Sequence, residues 1–324
     1  MAVSLVTGIT GQDGGYLAEQ LVAAGDRVHG TVFAEEHRDT VPPHLAALGD
    51  VLELHVADLG RPETVTALLD RVEPDRVFNL AGVSSVAASW ADPLLTFDIN
   101  ARAVLVLLEH LHRRRRDGGP EIRFVQASSG EVFAGAGAAP VTEGSPVSPV
   151  NPYGTAKAAA HLAVGIYRAR GLHASSLVLF NHESPRRPEQ FVTRKVTRGV
   201  AAIAAGRADA LTLGNLDVSR DWGWAPDYTR AMALAADSDR PDDYVVATGV
   251  PHSLADLVAA AFAEVGIADW QAHLRTDPAL VRPADAAVLV GDSSRLRERL
   301  GWAPSVTFEE MVAAMVRADV EELS

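Results

Sequence analysis

The chain has 324 residues, of which 48% are hydrophobic and 22% charged, so it can bury a large apolar core. It contains no cysteine, which excludes disulfides, thiolate catalysis and cysteine zinc sites. The net charge of −13 argues against nucleic acid and anionic membrane surfaces as partners. The N-terminal residues enter a strand pattern without a basic leader, and no run approaches about 20 apolar residues, so we expect neither a signal peptide nor a membrane span. The expected location is the cytoplasm.

Short apolar runs alternate with amphipathic stretches through the first 180 residues. The predicted strands are 3–6, 27–31, 51–56, 76–80, 122–128 and 174–180, and the predicted helices are 16–24, 62–72, 94–115 and 151–170. This alternation indicates an α/β fold, a Rossmann-type doubly wound parallel sheet covered on both faces. Later segments are shorter and richer in proline and charge. We therefore expect a dinucleotide-binding Rossmann domain at 1–180, to which 222–249 returns, and a smaller, discontinuous substrate lobe at 181–221 and 250–324.

A glycine-rich turn joins the first predicted strand to the first predicted helix. Gly8, Gly11 and Gly14 have the spacing G-x-x-G-x-x-G. Glycines at such a turn let the backbone approach a pyrophosphate, and the helix N-terminus faces its negative charge. The turn therefore predicts a dinucleotide site. Asp58, after the third strand, either accepts a hydrogen bond from an adenine amino group or is an acid at a helix N-terminus, and both interpretations stay open.

The end of the second predicted strand does not select between the two nicotinamide cofactors. A 2′-phosphate calls for arginine there, whereas a free 2′-hydroxyl calls for an acid. Neither residue type stands directly at the strand end, although Arg38 could reach a phosphate and Glu35 a ribose.

Three residues form the pattern that hydride transfer at a hydroxyl-bearing carbon requires. Tyr153 and Lys157 are four apart in a predicted helix and share one face. The neighbouring ammonium is expected to lower the pKa of Tyr153, which can then take a proton from a sugar hydroxyl. Ser129, at the end of the fifth strand, is placed to hydrogen-bond the same oxygen.

Glu131 is a carboxylate that a simple dehydrogenase does not need. It is either an exposed loop acid or a second proton-transfer group, and its position two residues after Ser129 favours the second interpretation. Oxidation of a hexose at C4 makes the C5 hydrogen acidic. A carboxylate could then remove that hydrogen and protonate the departing C6 hydroxyl.

Several motifs resemble the GDP-mannose 4,6-dehydratase family, which is an extended short-chain dehydrogenase/reductase family with bound NADP. The similarity runs from residue 3 to about residue 318. The motifs are Thr7-Gly-Ile-Thr-Gly-Gln-Asp-Gly, Gln126-Ala-Ser-Ser-Gly-Glu131, Asn151-Pro-Tyr-Gly-Thr-Ala-Lys157, Asn181-His-Glu-Ser-Pro-Arg-Arg187, Phe191-Val-Thr-Arg-Lys195, Leu213-Gly-Asn-Leu-Asp217, Arg220-Asp-Trp-Gly223, Ala247-Thr-Gly249, Arg282-Pro-Ala-Asp285 and Leu300-Gly-Trp302.

The resemblance implies a set of site residues. The catalytic residues are Ser129 (in place of the family's threonine), Glu131, Tyr153 and Lys157. The implied cofactor-binding residues are Gly8, Thr10, Gly11, Gln12, Asp13, Gly14, Asp58, Leu59, Leu80, Ala81, Tyr153, Lys157, His182 and Arg187. The implied substrate-binding residues are Ser84, Asn181, Arg187, Val192, Lys195, Arg220, Arg282 and Asp285. No metal site is expected.

The chain departs from the family after the second strand, where Phe33 and Ala34 stand in place of the family's arginines and serines. The resemblance implies NADP, and NAD stays open because those arginines are missing. Their loop reaches a neighbouring subunit in tetramers, so we expect a homodimer and doubt a tetramer.

The expected activity is conversion of GDP-mannose to GDP-4-keto-6-deoxymannose. The alternatives are a dehydratase for a related NDP-hexose, a nucleotide-sugar 4-epimerase or 4-ketoreductase, and a nonenzymatic nucleotide-binding protein.

Overall fold

The computed structural model describes residues 1–137, 140–277 and 288–324. The strands are β1 (Val3–Thr7), β2 (Arg27–Val32), β3 (Leu52–Val56), β4 (Arg76–Asn79), β5 (Arg123–Ser129), β6 (Ala174–Leu179), β7 (Asn181–Glu183), β8 (Leu211–Leu213), β9 (Ser219–Trp224), β10 (Asp243–Val246), β11 (Pro251–Ser253), β12 (Leu274–Thr276) and β13 (Val288–Leu289). The helices are α1 (Gln12–Ala23), α2 (Glu36–Asp39), α3 (Pro43–Ala46), α4 (Pro62–Val72), α5 (Val86–Ala91), α6 (Pro93–Phe97), α7 (Ala103–Arg116), α8 (Pro152–Ala169), α9 (Val192–Ala204), α10 (Ala225–Asp237), α11 (Leu254–Glu264), α12 (Ser294–Leu300) and α13 (Phe308–Leu323).

Seven strands form one parallel sheet in the order β10-β6-β5-β4-β1-β2-β3. The predicted Rossmann-type parallel fold is therefore confirmed. The chain leaves β1 toward β2 on one side and returns through β4 on the other. Open sheets of this type bind ligands outside the carboxyl ends of the strands, where the strand order reverses.

Both faces of this sheet are covered, which explains why most residues of its strands are buried, except in the edge strand β3. Side chains alternate between the two faces along a strand. On β1, Val6 packs in a core with Leu17 of α1 and Met232 of α10. Its neighbour Leu5 packs in a second core, which includes Leu107 of α7.

The predicted helices differ from the observed ones at two places. Helix α1 begins at Gln12, four residues before the predicted start, because Gly14 and Gly15 belong to its first turn and interrupt the apolar pattern. The stretch predicted as one helix at 94–115 consists of α6, a π-helical turn at Asp98–Arg102, and α7.

Elements from the second half of the chain form a third core beside the main sheet. Strand β9 pairs with β7, β11 and β13, and helices α9, α11 and α13 pack together around Trp222 and Met315. Strand β9 crosses the predicted boundary at residue 221, and α12 packs on β10 of the main sheet. The predicted division into two domains stays a prediction.

Four consecutive arginines end α7, and each pairs with a carboxylate at 2.6–3.0 Å. Among the residues that the structure describes, no helix combines the length and the apolar composition that crossing a membrane needs. The cytoplasmic location stays a prediction.

Three side chains that could ligate a metal, His29, Glu53 and His55, lie together on β2 and β3. His29 Nδ1 lies 2.9 Å from His55 Nε2, and Arg71 donates to His55 Nδ1 at 3.0 Å. Because His55 Nδ1 accepts, its Nε2 carries the proton that His29 Nδ1 accepts. Burial lowers the pKa of both rings, which favours their neutral forms.

Candidate active site

The predicted catalytic residues meet at the carboxyl edge of the main sheet. One open cleft is lined by Ser129, Glu131, Tyr153 and Lys157. Ser129 ends β5, Glu131 follows in a short 3-10 helix, and the other two lie in the first turns of α8. Segments that are more than twenty residues apart in sequence thus supply one site.

The glycine turn is compact because side chains would not fit in it. Gly8 has φ +69°, and a Cβ there would lie 2.8 Å from the Cα of Ala81. A Cβ on Gly14 would lie 2.5 Å from the carbonyl oxygen of Gly8. Gly11 begins α1 without a side-chain cap, and Thr10 beside it is exposed. The first N–H groups of this helix receive no side-chain cap, and a helix start left free in this way suits an anion.

Gln12 and Asp13 connect the glycine turn to β7. The side chain of Gln12 donates to the carbonyl oxygen of His182 at 3.1 Å and accepts from Ser184 at 2.8 Å. The Oδ2 atom of Asp13 lies 2.9 Å from His182 Nε2. Asp13 and His182 also line the cleft, so the turn and β7 form one wall.

The side chain of Thr7 organises the ends of β1 and β4. Its hydroxyl donates to Asn79 at 2.8 Å and accepts the N–H groups of Leu80 and Ala81 at 3.1 Å. Of the two predicted cofactor residues here, Leu80 lines the cleft.

Asp58 has local partners in the structure. Its carboxylate accepts the N–H of Gly60 at 2.8 Å and pairs with Arg61 at 3.5 Å, while Leu59 beside it is buried. These contacts show that Asp58 stabilises the turn that follows β3. Its contact with an adenine stays a prediction.

Tyr153 and Lys157 are both buried, and burial acts on them in opposite directions. Burial raises the pKa of Tyr153 to about 12; a hydrogen bond with Ser129 lowers it and the negative charge of Glu131 raises it. Burial lowers the pKa of Lys157 to about 8, and the charge of Asp13 opposes that change.

The expectation that Lys157 lowers the pKa of Tyr153 is wrong for this structure. The Lys157 ammonium donates to the carbonyl oxygen of Ala127 at 2.9 Å and lies 5.9 Å from the centre of the Tyr153 ring. Desolvation of the phenolate therefore sets the direction of the pKa shift, and the neighbours that lower this pKa are Ser129 and Arg187.

Glu131 is held in the wall of the cleft by a partner that the sequence did not reveal. The side-chain amide of Asn151 donates to Glu131 Oε2 at 2.8 Å. The backbone N–H of Glu131 donates to Ser129 Oγ at 3.3 Å. In the sequence, Asn151 before Pro152 indicates only the start of a helix. Its contact with Glu131 is visible only in the fold.

Most of the predicted substrate residues line the same cleft: Ser84, Asn181, Arg187, Val192 and Arg220. Arg187 pairs with the buried Glu183 at 3.1 Å, and its guanidinium lies 3.7 Å from the centre of the Phe191 ring. Lys195 is exposed one turn after Val192 on α9. Arg282 and Asp285 lie outside the described residues.

The turn after β2 contains one arginine near the expected position of a 2′-phosphate, Arg38, and a carboxylate already pairs with it. Phe33 is 66% exposed, and Arg38 pairs with Glu35 at 3.4 Å.

The cleft wall also contains residues that sequence reasoning missed. Ser128, Glu183 and Trp222 line the cleft, and Thr193 donates to Glu183 at 2.6 Å. Ser128 Oγ is buried without a hydrogen-bond partner among the described residues. An orphaned hydroxyl in a cleft wall fits a site that a polar ligand completes.

A parallel Rossmann sheet, a glycine turn after β1 and a Ser-Tyr-Lys set at the carboxyl edge define a short-chain dehydrogenase/reductase. The model of the GDP-mannose 4,6 dehydratase family matches residues 5–315. The chain therefore belongs to the GDP-mannose 4,6-dehydratase family.

Named relatives agree with this assignment. GDP-mannose 4,6 dehydratase 1 of Arabidopsis thaliana is 42% identical over 327 residues, which cover 98% of this chain and 90% of that protein. GDP-mannose 4,6-dehydratase of Vibrio cholerae serotype O1 is 38% identical over 354 residues, or 99% of this chain and 94% of that protein.

Two solved structures share the whole fold. UDP-glucose 4-epimerase of Thermus thermophilus, in complex with NAD, superposes with a TM-score of 0.83 at 27% identity and covers 98% of both chains. RMD from Pseudomonas aeruginosa, complexed with NADPH, superposes with a TM-score of 0.80 at 25% identity and covers 99% of this chain and 100% of that one.

Proposed function

We propose that the protein is a GDP-mannose 4,6-dehydratase that converts GDP-mannose to GDP-4-keto-6-deoxymannose. The observation that carries this proposal is the carboxylate of Glu131 in the same cleft wall as Ser129, Tyr153 and Lys157. Dehydratases named for this reaction are 38–42% identical to the chain over nearly its full length.

The residues of the cleft fit a nicotinamide dinucleotide. The uncapped start of α1 at Gly11 suits the pyrophosphate, and the buried Ser128 hydroxyl lacks a protein partner among the described residues. We propose NADP as the cofactor, with weaker selection against NAD than the family's arginines would provide. A bound nicotinamide would supply the acceptor for hydride from C4 and, once reduced, the hydride donor for C6, and the positive charge of its oxidised form would favour the Tyr153 phenolate.

The chain's own residues then handle the protons. Tyr153 Oη takes the proton of the C4 hydroxyl, and Ser129 Oγ hydrogen-bonds the same oxygen and orients it. Lys157, fixed on the carbonyl oxygen of Ala127, adds positive charge beside this step. C4 becomes a ketone, which makes the hydrogen at C5 acidic.

Glu131 performs the elimination. Its carboxylate removes the proton from C5 and delivers a proton to the C6 oxygen, so that the C5–H and C6–O bonds break and water leaves. Tyr153 and Lys157 alone could not do this, because Tyr153 is committed to the C4 oxygen.

The nucleotide part of the substrate requires cations in an otherwise acidic chain. Arg187 and Arg220 line the cleft, and Lys195 is exposed on the neighbouring turn of α9. We propose that they bind the diphosphate.

Incubation of the purified protein with GDP-mannose, followed by mass spectrometry of the nucleotide sugar, tests the activity. A product lighter by one water is expected. A product of unchanged mass with altered stereochemistry would identify a 4-epimerase instead. No conversion of any nucleotide sugar, with cofactor bound, would support a binding protein.

We propose further that the protein is a homodimer through the helices beside the cleft. Four large apolar side chains are 48–79% exposed on α6, α7 and α8, and α8 packs against each of the other two helices: Leu94, Leu105, Leu162 and Ile166. Large apolar side chains clustered on adjacent helices indicate a protein interface. Helix α8 also carries Tyr153, so pairing of two such faces would support the site.

A further inference from the structure

We propose that Asn151 is a positioning residue that fixes the Glu131 carboxylate for proton transfer at C5. The inference rests on the proposed dehydration, since it assigns Asn151 a part in the elimination. Asn151 neither titrates nor contacts the reacting atoms in this role, because it acts through Glu131.

Both ends of the Asn151 amide are engaged, and their chemistry fixes its orientation. Its Nδ2 donates to Glu131 Oε2 at 2.8 Å, and its Oδ1 accepts the N–H of Gly154 at 2.7 Å. A carboxylate can only accept from the amide nitrogen, and a backbone N–H can only donate to the amide oxygen. Reversing the amide would lose both bonds, so this side chain has one orientation. It is also only 9% exposed.

The backbone around Glu131 is packed closely enough to make this contact specific. A Cβ on Gly154 would lie 2.7 Å from the Glu131 carbonyl oxygen, so the first turn of α8 rests directly on the backbone of Glu131. On the other side, Ser129 Oγ accepts the Glu131 N–H at 3.3 Å. Because the backbone of Glu131 is fixed, the hydrogen bond from Asn151 restricts the rotation that its side chain would otherwise retain.

The contact leaves one carboxylate oxygen for chemistry. Oε2 accepts from Asn151, and no hydrogen bond within the described parts of the chain reaches Oε1. Oε1 can therefore take the C5 proton and carry it to the C6 oxygen, while Oε2 keeps its partner in both protonation states.

Asn151 also ties the two proton-transfer groups together. Its Oδ1 caps α8, and Tyr153 lies in the first turn of that helix. The Tyr153 N–H donates to Ser89 Oγ at 3.1 Å, which fixes the turn from the other side. The proposed reaction moves protons at adjacent carbons, C4 by Tyr153 and C5 by Glu131. The side-chain amide of Asn151 therefore sets the distance between Tyr153 and Glu131, the two groups that move these protons.

Replacement of Asn151 by serine separates its two contacts. A serine at a helix N-cap still accepts the N–H that Asn151 Oδ1 accepts. Its hydroxyl is too short to reach Glu131, so only the carboxylate contact is lost. Asn151→Ala removes both contacts and is the matched control for capping.

We expect Asn151→Ser to lower kcat for water loss roughly 10- to 100-fold, the cost of a reacting group displaced by about 1 Å, while KM changes little. Exchange of solvent deuterium into C5 should fall by the same factor. Oxidation at C4, followed as cofactor reduction in a single turnover, should stay near the wild-type rate. Asn151→Ala should slow water loss equally and, unlike Asn151→Ser, lower Tm.

A cycle with Glu131→Gln separates positioning from a general disturbance of the site. If Asn151 acts through Glu131, Asn151→Ser causes no further loss of C5 exchange in the Glu131→Gln background. Wild-type water loss in Asn151→Ser, an equal fall in C4 oxidation, or an additive loss in the double variant would each overturn the role of Asn151 alone. A wild-type protein that removes no water from GDP-mannose would overturn the proposed function as well.

Discussion

The pair of His182 and Asp13 should make the stability of the fold depend on pH. His182 Nδ1 lies 2.7 Å from the carbonyl oxygen of Phe180, and Nε2 lies 2.9 Å from Asp13 Oδ2. Both partners are acceptors, so both ring nitrogens must donate, and only the imidazolium has two N–H groups. The Tyr228 ring stacks on the imidazole at 4.6 Å.

The pKa directions agree with a charged pair. Burial alone lowers the pKa of His182, but the Asp13 carboxylate outweighs burial and the net pKa is raised above 6.5. Burial alone raises the pKa of Asp13, but the His182 charge and its hydrogen bond bring the net pKa below 3.8.

We predict that His182→Gln lowers the free energy of unfolding by about 2–3 kcal/mol near neutral-to-acid pH, since hydrogen bonds to charged groups contribute about that much. The side chains of His182 and Asp13 are 11% and 21% exposed, so solvent screens the pair little. Glutamine keeps a donor of similar reach but carries no charge.

The sign of the pH effect follows from the two pKa shifts. The His182 contribution is fully present below pH 6.5 and is lost as the pH rises through its raised folded pKa. The Asp13 contribution is present above pH 3.8 and is lost as the pH falls through its lowered folded pKa. The difference between wild type and His182→Gln should therefore be largest between these pH values and shrink at alkaline pH.

Urea denaturation of both proteins, freed of nucleotide, from about pH 5 to about pH 9 measures this difference. A cycle with Asp13→Asn isolates the coupling between the two side chains. A wild-type minus variant difference that is constant over this range would refute the imidazolium and the reasoning behind it.

Three further predictions concern activity and assembly. Glu131→Gln should slow water loss by roughly 10²- to 10⁴-fold, the usual value of a general base, with unchanged cofactor affinity by titration; wild-type turnover would contradict this. Native selectivity for NADP over NAD in Kd should be modest, and Ala34→Arg should raise NADP affinity roughly tenfold through one charge-assisted bond; a strong native preference would disprove the argument. Leu162→Glu with Ile166→Glu should yield a folded monomer by analytical ultracentrifugation, and an unchanged dimer would place the interface elsewhere.

Local spacing was enough to predict the parallel sheet and to bring the proposed catalytic residues together. Tyr153 and Lys157 are one helical turn apart, so their shared face follows from helix geometry alone. Ser129 and Glu131 follow a buried strand, and parallel strands bring their carboxyl ends to one edge. The start of α1 was missed because glycines in its first turn carry no apolar signal.

The sequence by itself determined the class of fold, the glycine turn, the four proposed catalytic residues and the family, because each is carried by short motifs whose own residues are close together in the chain. Tertiary structure alone decided the contact of Asn151 with Glu131, the pairing of Asp13 with His182 across 169 positions, and the raised pKa of Tyr153. The two contacts depend on which distant segments meet, and the pKa shift depends on burial. Local periodicity in the sequence specifies neither of them.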